Sequence, residues 1–270
     1  MPVGYQGESF SYSDKAAGEL FPDRERIGFE SFLGAFEALM SGEVPRLVLP
    51  IENSTTGSVL PVLDRLVTGG AKIVAEHYVE VRHAVLGVPG ADLDGIVSIR
   101  SHPEALAQAG GEIVRRGWQP VPDHDTAGAV RVIAERADPT RAALAPPEAA
   151  EPHGLEILLS DVVDKQHNTP RFVVLEAGDP GIPADADKSS VAFETLHRPG
   201  ALALALTELG LRGANLTRIE SRPTDTPWKY RFCGNLVHPP GPEGYRVVFD
   251  PPPVTMAEIH HLGTYKSEVT

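Results

Sequence analysis

The stretch Arg46-Leu47-Val48-Leu49-Pro50-Ile51-Glu52-Asn53-Ser54-Thr55-Thr56-Gly57-Ser58-Val59 runs from a short apolar segment through a polar turn into a helical pattern over about 57–68. A short apolar run bounded by turn residues reads as a buried strand. Open α/β sheets place ligands beyond the carboxyl ends of their strands. Asn53, Ser54 and Thr55 therefore have two readings: turn and capping residues, or the lining of a polar pocket. The same alternation continues on both sides. Ile73–Ala75, Ala84–Val88, Gly95–Ile99, Ala142–Ala145 and Phe172–Leu175 are further strand candidates. Helical patterns lie near 13–20, 31–41, 103–116 and 126–137. Strands alternating with helices predict an α/β fold with mainly parallel strands.

Residues 176–188 are rich in Gly, Pro and Asp and read as a linker. A second unit follows, with a strand at Ser190–Glu194, a helix from Pro199 to about Leu209, and strands at Asn215–Ser221 and Arg231–Val237. The proline-rich 239–252 reads as a loop plus strand, and Thr255–Leu262 as a short final helix. This order predicts a compact α+β unit of the ferredoxin-like kind.

Composition narrows the function. The chain has 270 residues, 41% hydrophobic and 23% charged, as in an ordinary globular protein. A net charge of −13 argues against nucleic acid or an anionic membrane as partner. A small anionic ligand stays possible, because a local cluster outweighs distant charge within a Debye length of about 8–10 Å. Cys233 is the single cysteine, which suits a reducing cytoplasm. No secretory signal or apolar run of spanning length is visible. The ten histidines are scattered, so no metal site is expected, and adjacent His260 and His261 would not share a helix face.

Several strand-to-helix junctions are polar. Ser101-His102-Pro103-Glu104 has the form of a capping box with Pro at the helix start, or of a helix end facing an anion. Asp125-Thr126-Ala127-Gly128-Ala129 reads as a capped helix start in which Gly128 permits close approach of a ligand. Tyr5-Gln6-Gly7-Glu8-Ser9-Phe10-Ser11-Tyr12-Ser13 lacks dinucleotide spacing. Neither a Walker loop nor a nucleophile elbow is present. His167-Asn168-Thr169-Pro170-Arg171-Phe172 sets an amide, a hydroxyl and a guanidinium at the mouth of a strand, an arrangement suited to a small carboxylate. Together these junctions suggest a cofactor-free cleft between two α/β lobes.

Taken in order, these blocks resemble the prephenate dehydratase family. The matching segments include Tyr5-Gln6-Gly7, Pro50–Ser54, Gly57–Val59, Ser101–Pro103, Ala105–Gln108, Asp125–Ala129 and Asn168 with Arg171-Phe172. The C-terminal unit is similar to the family's ACT regulatory domain through Arg198–Leu202, Asn215–Thr217, Glu220–Pro223, Pro227-Trp228 and Leu262–Tyr265. The resemblance implies a two-lobed catalytic domain of periplasmic-binding-protein type over 1–176, whose second lobe covers about 78–162. A linker over 177–188 and an ACT domain over 189–270 complete it. The implied reaction converts prephenate to phenylpyruvate, CO2 and water. The ring becomes aromatic, so the protein mainly binds, orients and protonates the leaving hydroxyl. No metal or organic cofactor is implied.

By the resemblance, Asn53, Ser54, Thr169 and Arg171 are the expected catalytic residues. Ser101, His102, Thr126, Ala127, Gly128, Asn168 and Phe172 are the expected substrate contacts. Gly200, Ala201, Leu202, Asn215, Glu220, Ser221, Arg222 and Pro223 would bind L-phenylalanine as allosteric effector between subunits of a dimer or tetramer. The implied setting is phenylalanine biosynthesis in the cytoplasm. Three departures stand out. Pro170 replaces the family's usual threonine, which is thought to be the proton donor. Thr169 and Arg171 alternate onto one strand face, so Thr169 is expected to stand in, with Ser54 or Thr126 as the other hydroxyls. Phe10 stands where a glycine is usual, either narrowing the cleft or packing in a core. Leu144-Ala145-Pro146 replaces Ile-Ala-Ser. Arogenate dehydratase activity and an impaired, ligand-sensing homologue are the alternative readings.

Overall fold

The computed structural model describes residues 1–54, 57–162, 169–224 and 226–268. The strands are β1 (Val3–Gln6), β2 (Arg26–Phe29), β3 (Leu47–Asn53), β4 (Gly57–Ser58), β5 (Ala71–Tyr78), β6 (Ala84–Gly87), β7 (Ser98–Ser101), β8 (Gln119–Pro122), β9 (Arg141–Ala145), β10 (Glu156–Leu159), β11 (Pro170–Ala177), β12 (Lys188–Thr195), β13 (Asn215–Pro223), β14 (Tyr230–Val237) and β15 (Met256–Tyr265). The helices are α1 (Tyr12–Leu20), α2 (Phe32–Ser41), α3 (Leu60–Thr68), α4 (Pro103–Gln108), α5 (Gly110–Arg116), α6 (Thr126–Arg136), α7 (Ala201–Leu211) and α8 (Gly241–Phe249). Among the described residues no helix is long and apolar enough to cross a membrane.

Two compact units are present. One comprises Met1–Ala35, Pro50–Val59 and Tyr78–Phe172, the other Phe36–Leu49, Leu60–His77 and Val173–Thr270. The sheets run β2-β1-β3-β11-β5, with β4 paired to β3, then β10-β6-β9-β7-β8, then β13-β14-β12-β15. β3 and β11 contribute residues to both units.

Within the first unit, the sheet β10-β6-β9-β7-β8 is covered on both faces. Val85, Ala142 and Leu144 point into one cluster with Ile99, Leu106, Ile113 and Trp118. Their strand neighbours Ala84, Leu86, Ala143 and Ala145 point into another with Val130, Ile133 and Leu155. Side chains alternate across a strand, so an unbroken apolar run is what two buried faces require. Glu52 pairs antiparallel with Ser58 and Asn53 with Gly57, so the helix expected from about 57 begins only at Leu60, as α3. The helix expected over 103–116 breaks at Ala109 into α4 and α5, just before Gly110-Gly111. Each glycine costs a helix interior about 1 kcal/mol relative to alanine.

The second unit corrects two expectations. Thr255–Leu262 is not a helix, since Met256–Tyr265 is the strand β15, paired antiparallel with β12 from Lys188↔Tyr265 to Thr195↔Met256. Long-range pairing overrides weak local helix propensity here. The segment 239–252 holds the helix α8, with Pro240 as its N-cap and Pro251–Pro253 beyond its end. Proline is tolerated at a helix start and after its end, so the proline-rich flanks bracket the helix. From Lys188 to Tyr265 the order is thus β-α-β-β-α-β, an α+β arrangement of the kind expected. The linker reading needs trimming too. Glu176 and Ala177 still belong to β11, Ala186 is buried, and Lys188 opens β12.

Lys188 Nζ lies 2.9 and 2.8 Å from the two carboxylate oxygens of Glu76, with both side chains almost fully buried. Removing one partner strands the other charge away from water. Lys188→Met is expected to destabilise the protein by about 3 kcal/mol, measured by urea unfolding monitored by circular dichroism. An unchanged midpoint would show the pair to be dispensable.

Candidate active site

A cavity of about 220 Å³ in the first unit is lined by Asn53 from β3, Tyr12 and Ser13 from α1, and His83 from the segment before β6. His102, Glu104 and Gln108 come from the start and length of α4, Asp125 and Thr126 from the start of α6, and Pro170 and Phe172 from β11. The carboxyl ends of β3, β7 and β8 thus deliver the polar groups, as open α/β sheets do. Of the expected site residues, Asn53, His102, Thr126 and Phe172 meet on this wall.

The others are placed differently. Pro170 and Phe172 are pocket residues, so the alternation of β11 turns the opposite face of the strand to Thr169 and Arg171. Arg171 is 3% exposed, with Nε 3.5 Å from Glu52 Oε2 on β3. The Thr169 backbone N–H donates to Ser54 Oγ at 3.0 Å, tying the two residues to each other rather than to the pocket wall. Thr169 and Arg171 keep the shared parity expected of them, and Pro170, with Phe172, is the β11 residue that lines this cavity. Asn168 lies outside the described residues.

Ser101 is fully buried and its hydroxyl donates to the Leu144 carbonyl at 2.5 Å. The cap of α4 is instead His102, whose Nδ1 accepts from the Glu104 N–H at 3.2 Å. The capping box expected from Ser101 and Glu104 is not formed. At α6 the cap is Asp125, which accepts from the Gly128 N–H at 2.5 Å. A Cβ on Gly128 would come 2.7 Å from His124 Cε1, so the missing side chain makes room for His124. Ala127 lines a second, larger cavity of about 840 Å³, together with Gln6, Gly7, Phe10, Arg26 and His153.

Phe10 adopts φ 68, the left-handed region that favours glycine. Its N–H donates to Asp14 Oδ2 at 2.7 Å. Its ring packs on the Ala84–Leu86–Leu155 cluster, edge-on to His153 at 5.4 Å. The core reading of Phe10 holds; the ring also lines the second cavity rather than the first.

Sequence reasoning missed a surface grouping and a buried one. Glu8, His124 and Asp125 offer ligand atoms within 4.8 Å of one another. His124 Nδ1 also lies 2.9 Å from Asp123, and these carboxylates raise its pKa. A separation of more than a hundred residues hides this grouping from any spacing rule. His83, Tyr12 and Gln108 join at the pocket wall, and a lone histidine beside a strand gives no pattern to read.

In the second unit, Gly200 has φ 77 and caps α7, Ala201 is buried, and Leu202 packs on the core with Leu216. Along β13 the more covered face carries Glu220 and Arg222, and the exposed face Asn215, Ser221 and Pro223. Glu220 pairs with Arg218. Arg222 Nη2 lies 3.1 Å from Asp64 Oδ2 on α3. The expected effector residues therefore split between two faces of one strand and the start of α7.

A polar pocket at strand ends of an α/β unit, followed in the chain by a β-α-β-β-α-β unit, defines a small-molecule α/β protein with an appended α+β module. The family model "PDT: Prephenate dehydratase" matches residues 3–180, and the chain belongs to that family. It is 40% identical over 223 residues to arogenate dehydratase/prephenate dehydratase 2, chloroplastic, of Arabidopsis thaliana, covering 82% of this chain and 58% of that protein. It is 35% identical to the bifunctional N-acyl-homoserine lactone acylase/prephenate dehydratase of Komagataeibacter europaeus, covering 81% and 79%. The solved prephenate dehydratase of Arthrobacter aurescens in complex with L-Phe superposes with TM-score 0.88 at 28% identity, over 99% of this chain and 90% of that one. The chain spans just under three fifths of the length of the plant relatives it matches.

Proposed function

We propose that the chain is a prephenate dehydratase, converting prephenate to phenylpyruvate, CO2 and water without a cofactor. The observation that carries this reading is the meeting of Asn53, His102, Thr126 and Phe172, from four separate family blocks, on one cavity wall. Membership of the family over residues 3–180 supports it. In this reading residues 1–176 are catalytic and 189–270 form an ACT regulatory domain. Thr126 is the wall hydroxyl that protonates the leaving group. It opens α6, where the positive end of the helix dipole eases loss of a proton. The helix order of the C-terminal unit and the likeness to a Phe-complexed structure support L-phenylalanine as effector, bound between subunits of a homo-oligomer. The setting is amino-acid biosynthesis in the cytoplasm.

Arogenate dehydratase activity is the second reading, favoured by the names of the plant relatives. The test is a side-by-side assay of prephenate and arogenate, following phenylpyruvate and phenylalanine, with and without L-phenylalanine. Prephenate is expected to be turned over and L-phenylalanine to lower the rate and raise the melting temperature. Turnover of arogenate alone would replace the first reading by the second. A melting temperature indifferent to L-phenylalanine would remove the effector.

A further inference from the structure

Four polar side chains on the pocket wall form one chain of hydrogen bonds. His83 is 2% exposed and immediately precedes β6. Its Nε2 lies 3.2 Å from Gln108 Oε1, and its Nδ1 3.2 Å from Tyr12 Oη. The Gln108 amide nitrogen donates to Glu104 Oε1 at 3.3 Å, so the amide oxygen is the end turned to His83. An amide oxygen only accepts. The imidazole proton therefore sits on Nε2, and Nδ1 keeps its lone pair towards Tyr12. The Tyr12 hydroxyl has a single proton, which the Arg82 carbonyl at 2.6 Å and the His83 Nδ1 lone pair share as acceptors. The two rings meet nearly edge-on, with centroids 5.7 Å apart. The backbone is held as well, since the Val162 N–H donates to the His83 carbonyl at 2.8 Å.

We infer that His83 is a positioning residue, a neutral imidazole of fixed tautomer that holds the Tyr12 hydroxyl and the Gln108 amide in place on the wall of the pocket. This role rests on the reading of the pocket as a dehydratase site. Burial pushes the His83 pKa down to about 4, against a weaker opposing effect of the Gln108 hydrogen bond. The ring is therefore uncharged at neutral pH. Tyr12 is likewise held neutral by burial. An uncharged His83 suits the chemistry. A carboxylate that leaves as CO2 loses its charge on the way, and a fixed cation beside it would favour the ground state over the transition state. Misplacement of a positioned group by about 1 Å can cost about 10²-fold in rate.

The test has two arms. Nitrogen NMR of the full chain labelled in histidine reports the tautomer directly. His83 is expected as Nε2–H, with a bare Nδ1, neutral at pH 7. An Nδ1–H tautomer or a charged ring overturns the inference whatever the activity. The second arm measures kcat and KM for wild type, His83→Leu and His83→Gln, with melting curves alongside. His83→Leu is expected to lose about tenfold or more in kcat/KM, and His83→Gln, which keeps a donor and an acceptor, to recover most of it. Equal activity of wild type and His83→Leu overturns the role, as does a folded His83→Gln that is no better than His83→Leu. Absence of turnover in wild type overturns the functional reading itself, and with it the positioning role, while the tautomer result still stands on its own.

Discussion

Thr126→Val is expected to lower kcat for prephenate by about 10²-fold or more, with KM changed far less. Positioned general acid catalysis is typically worth about 10²–10⁴-fold, and valine keeps the shape of threonine without its hydroxyl. Three hydroxyls reach the wall among the described residues, those of Tyr12, Ser13 and Thr126. The Tyr12 proton is engaged by the Arg82 carbonyl. Thr126 is 9% exposed at the first position of α6 and faces the cavity. Steady-state kinetics of Thr126→Val beside Ser13→Ala checks this. Loss in Ser13→Ala and none in Thr126→Val would move the role to Ser13.

The second large effect concerns Pro170. Its side chain faces the cavity from the first position of β11, together with Phe172 two residues on. A threonine there puts a second hydroxyl on the same wall. Pro170→Thr in the Thr126→Val background is therefore expected to restore at least about tenfold of the lost rate. Thr169→Val is expected to leave kcat nearly unchanged, because its backbone is tied to Ser54 and its position is absent from the wall. The comparison is decided by kcat of the double variant against Thr126→Val alone. No recovery, with a clear loss in Thr169→Val, would return the donor role to Thr169.

How far the sequence could be read depends on which forces act locally. The buried strands at Leu47–Ile51, Ala142–Ala145 and Phe172–Leu175 are legible because two covered faces demand continuous apolar runs. Short edge strands such as β2 and β8, with at least half of their residues exposed, carry no such demand and go unseen. Helix α8 and strand β15 are exchanged in a local reading because the pairing of β15 with β12 decides the matter over some seventy residues. At the site, the polar junctions at Asn53, His102 and Thr126 are legible as strand ends. The parity of β11 is not. Period-two alternation says that Thr169 and Arg171 share a face, but only register within the sheet says which face meets the cavity. His83 and its partners come from separate elements, and no spacing announces them.

The central claim is that this pocket turns prephenate over although proline occupies the expected donor position. Formation of phenylpyruvate from prephenate by the wild-type chain, against the spontaneous reaction in the same buffer, tests it most directly. The account predicts saturable, enzyme-dependent phenylpyruvate formation well above the uncatalysed rate. A rate that matches buffer alone, from folded protein, would contradict it.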